Sequence, residues 1–142
     1  MIKKIYFACS IRGGRDDADL YAELVLHIKT RATVLTEIFA DGALTAMGMP
    51  GKSKDIYNND IAWIKQADAI IAEVTSPSLG VGYEIAKAEE WGKPVLALFR
   101  DTGDRKLSAM IDGSPFTQVA PYSDIEEAVL AIDNFLQVLT AK

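Results

Sequence analysis

The amino-acid sequence predicts an α/β protein in which helices cover both faces of a parallel β-sheet. Short apolar runs alternate along the chain with longer segments whose apolar residues recur every three or four positions, as in an amphipathic helix. The clearest apolar run, residues 69–74, is nearly continuous, which is typical of a strand buried on both faces. A turn rich in Ser and Gly leads from it into a helix, the arrangement that α/β proteins use to bind ligands.

Strands and helices are expected in regular order along the chain. Strands are predicted at residues 3–9, 32–36, 69–74, 94–99 and 116–120. Helices are predicted at residues 16–30, 55–66, 83–91 and 123–139, with one helical turn at 107–111. A Ser-x-x-Glu capping box at Ser123 opens the last helix, and Gly92 followed by Pro94 ends the helix before the fourth strand.

These five strands predict a flavodoxin-like (Rossmann-type), doubly wound parallel sheet with the order 2-1-3-4-5. In this order the first and third strands are neighbours, and ligands bind at their carboxyl ends. The loops that leave these ends, residues 10–15 and 75–82, are both rich in Ser and Gly, and the first carries Arg12 and Arg15. Backbone N–H groups and the dipole at a helix start make such loops suited to a phosphate or another anion.

Composition narrows the class of partner. The chain has 15 basic and 20 acidic residues, a formal net charge of −5, which argues against a nucleic-acid polymer because such binding needs a basic surface. No apolar run is long enough for a membrane span, and no signal-peptide pattern precedes the first strand. A single cysteine, Cys9, excludes an internal disulfide and fits a reducing compartment. We therefore expect one cytoplasmic domain over residues 1–142.

Glu84 is the residue best placed for chemistry, and two interpretations of it stand open. In the first, the helix dipole alone explains an ionised glutamate in or near the first turn. In the second, a carboxylate beside a bound sugar phosphate attacks an anomeric carbon or stabilises an oxocarbenium-like transition state. Asp60 and Tyr6 leave a similar choice between a structural and a functional role. No metal-ligand cluster and no Walker or Gly-x-Ser-x-Gly motif appears, so we expect no metal and no cofactor.

Four stretches of the chain match one known family in order and spacing. They are KIYFACSIRGGR at residues 4–15, NDIAWIKQAD at 59–68, AEVTSPSLGVGYE at 72–84, and LFR at 98–100 with LSAMI at 107–111. In these stretches the chain resembles the 2′-deoxynucleoside 5′-monophosphate N-hydrolases, the Rcl-like branch of the nucleoside 2-deoxyribosyltransferase superfamily. The match is poor at residues 41–55, a loop expected to border the base, so the preferred base is left open.

The resemblance implies hydrolysis of the N-glycosidic bond of a deoxynucleoside monophosphate, giving a free base and 2-deoxyribose 5-phosphate. It makes Glu84 the nucleophile that forms a covalent deoxyribosyl intermediate, Tyr6 a residue that positions this carboxylate, and Asp60 a residue that acts at the base or in proton transfer. The residues implied for substrate and phosphate binding are Ser10, Ile11, Arg12, Gly13, Ser78, Gly80, Ser108 and Met110. The resemblance further implies a homodimer in which Ser108 comes from the neighbouring subunit.

Two other functions stay open at this point. A deoxyribosyltransferase would move deoxyribose between bases, but such enzymes act on nucleosides without phosphate, and residues matching the phosphate site, such as Ser10 and Ser78, favour the hydrolase. A non-catalytic nucleotide-binding sensor on the same fold is the second alternative, because a fold does not determine a function. Release of free base from a monophosphate without an acceptor base would separate the hydrolase from both.

Overall fold

One sheet of five strands organises the computed structural model, which describes residues 2–10, 17–36 and 53–141. The strands are β1 (Lys4–Cys9), β2 (Thr33–Leu35), β3 (Ala69–Glu73), β4 (Val95–Arg100) and β5 (Thr117–Tyr122). Their order is β2-β1-β3-β4-β5, and all neighbours are parallel. The predicted doubly wound sheet is confirmed, and the carboxyl ends of β1 and β3 lie side by side.

Helices cover both faces of this sheet. They are α1 (Ala18–Lys29), α2 (Ser53–Gln66), α3 (Leu79–Glu90), α4 (Ala109–Asp112) and α5 (Ile125–Thr140). Buried residues of α1 and α5 form one apolar core with one face of the sheet, and those of α2 and α3 form a second core with the other face. The short helix α4 packs on the second core through Ile111.

Successive side chains of β3 belong alternately to the two cores. All of its side chains are buried, and successive side chains of a strand point to opposite faces. Ile71 therefore joins the core beneath α1 and α5, whereas Ile70 joins the core beneath α2 and α3. The same alternation turns Tyr6 of β1 toward α2 and α3, and it turns Glu73 at the end of β3 toward α1 and α5.

α3 begins earlier than predicted. Sequence spacing predicts a helix from Tyr83, but the helix starts at Leu79 and includes both glycines assigned to the preceding turn. The physical reason is Ser78, whose Oγ accepts a hydrogen bond from the backbone N–H of Val81 at 3.2 Å. Such an N-cap contributes about 1 kcal/mol, which offsets part of the low helix propensity of glycine. Glu84 consequently lies in the second turn of α3.

The start of α5 differs by one residue from the capping box predicted at Ser123. Asp124 is the N-cap and accepts a hydrogen bond from Glu127 N at 2.9 Å, while the Glu127 carboxylate accepts one from Ser123 N at 3.1 Å. Aspartate and serine cap helices almost equally well, so the sequence does not separate the two registers. At the end of α3, Gly92 has φ +71°, which confirms the predicted C-terminal glycine.

The two outer strands are poor partners for a further strand. β2 has only three residues, and β5 contains Pro121, which has no N–H to donate. Short strands and prolines are common at the edges of natural sheets, where they discourage pairing between molecules.

Candidate active site

A tyrosine of β1 and a glutamate of α3 are in direct contact between the sheet and this helix. Tyr6 lies in β1, is 2% exposed and faces α2 and α3. Its hydroxyl donates a hydrogen bond to Oε2 of Glu84. The sequence leaves Tyr6 between a core aromatic and a site residue, and in the structure it is a core residue whose polar end reaches a carboxylate.

Burial controls the charge of Glu84. It raises the pKa of this carboxyl from 4.5 to about 7; the hydrogen bond from Tyr6 lowers the pKa, and the negative charge of Asp60 raises it further. The expectation that the helix dipole favours the ionised form is wrong, because the dipole acts mainly within the first turn and Glu84 lies in the second. A group with a pKa near neutrality is suited to a part in the reaction itself.

Asp60 approaches the same carboxylate from α2. It is half-buried with Oδ1 shielded from solvent, and its charge acts on Glu84. This placement excludes the alternative of a fully solvated surface aspartate. One turn further along α2, Trp63 packs against Tyr6 with ring centroids 6.4 Å apart. Two carboxyl groups and a phenol are thus held together by β1, α2 and α3.

The start of α3 supplies the groups suited to an anion. Helix geometry leaves the first N–H groups of a helix without partners inside it, and Ser78 satisfies only one of them here, that of Val81. Gly80 lies one turn before Glu84, so both lie on the same face of α3. A Cβ added at Gly80 would come no closer than 3.8 Å, to Ser78 Oγ, so internal packing does not require glycine at this position.

The first predicted loop is described only at its start. Ser10 follows β1 and is 4% exposed, and the register of β1 with β3 places it beside the segment that leaves β3. Ile11, Arg12 and Gly13 lie outside the described residues, as do residues 37–52, which include most of the loop expected to border the base. Their roles stay predictions.

Ser108 and Met110 lie on the surface at α4. Ser108 is the N-cap of this helix, and its Oγ accepts a hydrogen bond from Met110 N at 3.2 Å. Met110 is 84% exposed, and Leu79 at the start of α3 is 97% exposed. Apolar side chains this exposed are suited to contact with another molecule.

Sequence reasoning missed a second buried carboxyl group, Glu73. It is 1% exposed, and it accepts hydrogen bonds from Thr75 and Tyr122. Burial raises its pKa, while these hydrogen bonds lower it. The available signal was a charged residue inside the apolar run 69–74, because a glutamate is rarely buried unless it is paired.

Three further expectations concern metals, thiols and membranes. Within the described ranges, no group of three or more His, Cys, Asp and Glu side chains is placed to hold a metal ion. His27 pairs with Asp133 at 2.7 Å, and the side chain of Cys9 is buried. No helix of the described part of the chain is long and apolar enough to cross a membrane.

Comparison with known protein families gives a match over most of the chain. The model of the nucleoside 2-deoxyribosyltransferase family matches residues 5–131, from β1 into α5. The chain belongs to this family. Tyr6, Asp60, Glu84 and Ser108 all lie within the matched region.

Individual members of the family are similar to the chain along most of their length. The 5-hydroxymethyl-dUMP N-hydrolase of Rattus norvegicus is 48% identical over 139 residues, which cover 94% of this chain and 84% of that protein. A protein of the same name from Danio rerio is 39% identical over 140 residues, which cover 96% of this chain and 97% of that protein.

Solved structures share the fold at lower identity. A CMP N-glycosidase from Clostridium botulinum superposes with a TM-score of 0.64 at 19% identity, covering 94% of this chain and 99% of that chain. A 2-deoxyribosyltransferase from Bacillus psychrosaccharolyticus gives a TM-score of 0.65 at 20% identity, covering 89% of this chain and 90% of that chain. At these identities the similarity establishes the fold alone.

Proposed function

We propose that the protein hydrolyses the N-glycosidic bond of 2′-deoxynucleoside 5′-monophosphates to a free base and 2-deoxyribose 5-phosphate. The observation that carries this proposal is a half-buried Glu84 carboxyl group, which accepts a hydrogen bond from Tyr6 and lies on the same face of α3 as Gly80. Relatives 39–49% identical carry the name 5-hydroxymethyl-dUMP N-hydrolase, which supports this reaction and makes that nucleotide the first substrate to test.

Glu84 acts as the nucleophile in the first step. A carboxylate oxygen forms a bond to C1′ of the sugar while the C1′–N bond breaks, and its electron pair leaves with the base. A 2-deoxy sugar favours this step because it lacks the electron-withdrawing 2′-hydroxyl, so positive charge develops more easily at C1′. Tyr6 fixes the attacking carboxylate, and its hydrogen bond keeps the carboxylate partly ionised despite burial.

Asp60 transfers the proton that the reaction requires. The negative charge of Asp60 acts on Glu84, so Asp60 lies close to the reacting carboxylate, and a carboxylate in this position can accept a proton. In the second step Asp60 accepts a proton from the attacking water, and it then passes this proton to the base, which has left with the electron pair of the C1′–N bond. The resulting hydroxide attacks C1′, the ester bond to Glu84 breaks, and both carboxyl groups return to their starting states.

The 5′-phosphate binds between the first loop and the start of α3. Its proposed ligands are Ser10, Ile11, Arg12, Gly13, Ser78 and Gly80. N–H groups and the positive end of the dipole at the start of α3 attract the anion. Binding energy from the phosphate, which is remote from the bond that breaks, aligns C1′ with Glu84.

A second copy of the chain completes the phosphate site in this proposal. Ser108, with Met110 beside it, comes from the neighbouring subunit of a homodimer, as the family resemblance implies. Support comes from the exposure of Ser108 and from the large exposed fractions of Met110 and Leu79, because association would remove these apolar side chains from water.

Base release from purified protein tests the proposal. The protein is incubated with 5-hydroxymethyl-dUMP, dUMP, dGMP or dCMP, and the free base is followed by chromatography. We expect release without an acceptor base, and a loss of roughly a thousandfold or more in Glu84→Gln, which keeps the acceptor for Tyr6 but not the nucleophile. Glu127→Gln, a matched change at the start of α5, should keep the parent rate.

Other outcomes would replace the proposal. Turnover only of deoxynucleosides in the presence of an acceptor base would indicate a deoxyribosyltransferase, and binding without turnover would indicate a sensor. Unchanged base release by Glu84→Gln would remove Glu84 from its assigned role.

A further inference from the structure

A buried carboxyl group on the other side of the sheet takes no part in the proposed reaction. Glu73 is 1% exposed and faces α1 and α5, away from Glu84. Oε1 accepts a hydrogen bond from Thr75 N at 2.8 Å, and Oε2 accepts one from Thr75 Oγ1 at 2.8 Å and another from the Tyr122 hydroxyl. A buried carboxylate is costly unless its oxygens are bonded, and here both oxygens accept hydrogen bonds.

Thr75 joins this carboxyl group to β4. The backbone N–H of Arg100, at the end of β4, donates to Thr75 Oγ1 at 2.8 Å. The threonine hydroxyl is therefore a donor to Glu73 and an acceptor from Arg100 at the same time. Thr75 also begins the short segment that ends at Ser78, the cap of α3, so these bonds fix the start of the second phosphate loop.

Arg100 extends the network to the start of α1. Its Nη2 donates to Oδ1 of Asp17 at 2.7 Å, with only 28% and 16% of the two side chains exposed. Asp17 stands directly before α1. One connected set of hydrogen bonds thus runs from Asp17 through Arg100 to Thr75, at the start of the second predicted phosphate loop.

We propose that Glu73, Thr75 and Arg100 are positioning residues that fix the segment 75–78, and with it the first turn of α3, for phosphate binding. The inference rests on the proposed function, which assigns Ser78 and the start of α3 to a 5′-phosphate. An anion binds tightly to a segment that is already in place, because ordering a loose segment on binding reduces affinity. The network lies on the opposite face of the sheet from Glu84, so it governs phosphate binding rather than bond cleavage.

The pair Thr75→Val and Thr75→Ser separates the hydroxyl from the shape of the side chain. Valine keeps the shape but loses both hydroxyl bonds, whereas serine keeps them. We expect Thr75→Val to raise the KM for 5-hydroxymethyl-dUMP roughly tenfold with kcat within about twofold, as loss of uniform binding predicts. The affinity for the deoxynucleoside without phosphate should stay unchanged, and Thr75→Ser should restore KM to within about threefold of the parent.

Asp17→Ala tests the same network from its other end and guards against a Thr75 variant that fails to fold. Asp17 makes no side-chain capping bond to α1, so the change removes the contact with Arg100 without removing a cap. We expect KM for the monophosphate to rise severalfold. Asp133→Ala is the matched control, because Asp133 accepts comparable bonds from His27 and Arg31 between α1 and α5, away from both loops; its KM should equal that of the parent.

Calorimetric titration with dUMP distinguishes failure of this inference from failure of the proposed function. If the parent binds dUMP but releases no base, the proposed hydrolysis fails, and the Kd ratio between parent and Thr75→Val still decides the positioning role. If the parent neither binds nor cleaves monophosphates, both ideas fail. Unchanged KM and Kd in Thr75→Val and Asp17→Ala, or equal losses for the deoxynucleoside without phosphate, would overturn the inference alone.

Discussion

Three interactions determine the pKa of Glu84, and burial has the largest effect. The hydrogen bond from Tyr6 favours the ionised form, but loss of hydration and the charge of Asp60 favour the neutral form, so the pKa reaches about 7. A carboxyl group in this range is half ionised near neutrality. Small changes around it should therefore change the fraction of molecules ready to react.

Activity should depend on pH through this group. In the proposed mechanism ionised Glu84 attacks, so kcat/KM should rise with pH through an apparent pKa of about 7. Tyr6→Phe removes a bond that favours the ionised form and should move the rise to higher pH, whereas Asp60→Asn should move it to lower pH. The monophosphate titrates identically in all three proteins, so the shifts belong to the enzyme. Profiles that coincide would contradict the assignment.

Stability should depend on pH in the opposite sense. Because the folded pKa of Glu84 is raised from 4.5 to about 7, this group stabilises the fold fully below its unfolded pKa, and the contribution is lost as pH rises through 7. Glu84→Gln has no such dependence. Between pH 5 and pH 8 its advantage in free energy of unfolding over the parent should grow by on the order of 2 kcal/mol. Urea unfolding at both pH values checks this, and an equal difference at both would contradict it.

The role of a residue could be predicted where a sequence pattern indicates it. It could not be predicted where the role depends on contacts with residues distant in sequence. Tyr6 and Asp60 stayed undecided because periodicity does not tell which neighbour a hydroxyl or a carboxylate meets. Glu73 was missed because the apolar run around it predicted only a strand. The family resemblance supplied the roles that spacing left open, and the contact of Tyr6 with Glu84 agrees with the role implied for Tyr6.

Among the elements, α3 carries most of the proposed site. Its glycines allow the requirements of folding to be distinguished from those of substrate binding. Neither Gly80 nor Gly82 has positive φ, and an added Cβ meets Ser78 Oγ at 3.8 Å in the first case and nothing within 4 Å in the second. Alanine in a helix is favoured over glycine by roughly 0.8–1 kcal/mol. Glycine at these positions is therefore not required by the fold of the chain itself.

Alanine at the two positions should have the same effect on folding and different effects on substrate. Gly80→Ala and Gly82→Ala should each raise the free energy of unfolding by up to about 1 kcal/mol in thermal or urea unfolding. Gly80→Ala places a methyl group on the face that carries Glu84 and should raise the KM for the monophosphate by roughly tenfold or more, whereas Gly82→Ala should leave it unchanged. Equal KM values would remove Gly80 from the phosphate site.

The first residues of α3 and α5 were predicted incorrectly because neighbouring residues give competing signals for the start of a helix. The start of α3 was placed four residues late because Gly80 and Gly82 read as a turn, although Ser78 is a sufficient cap. The start of α5 was placed one residue early because Ser123 and Asp124 are both good caps. In each case the identity of the element was predictable, and the hydrogen bond that fixes its first residue was not.

At the scale of the whole molecule, the strand order followed from connectivity. Strands joined by helices must be parallel, and the positions of the Ser- and Gly-rich loops predicted which two strands meet at the crevice. The sheet order confirms this. What connectivity does not predict is the division of polar groups between the faces, with Glu84 on one and Glu73 on the other.

The assignment of Ser108 to a neighbouring subunit predicts complementation between inactive variants. Glu84→Ala removes the nucleophile, and Ser108→Asp places a carboxylate against the phosphate. A heterodimer of the two, purified through different tags, contains one intact site and should show about half of the parent activity per dimer. A heterodimer of Glu84→Ala with the parent is the matched control and should show the same. No activity in the mixed dimer, or a monomer in sedimentation, would contradict the shared site.

The three-residue β2 and Pro121 of β5 affect the tendency of the protein to aggregate at high concentration. An exposed strand edge is a template on which further chains can add without limit, which ends in fibrils. Here the described outer strands are short or interrupted by proline, so growth along the sheet direction is discouraged. The proposed homodimer would then have to form away from the strand edges, and contact between two like surfaces closes after a single pair.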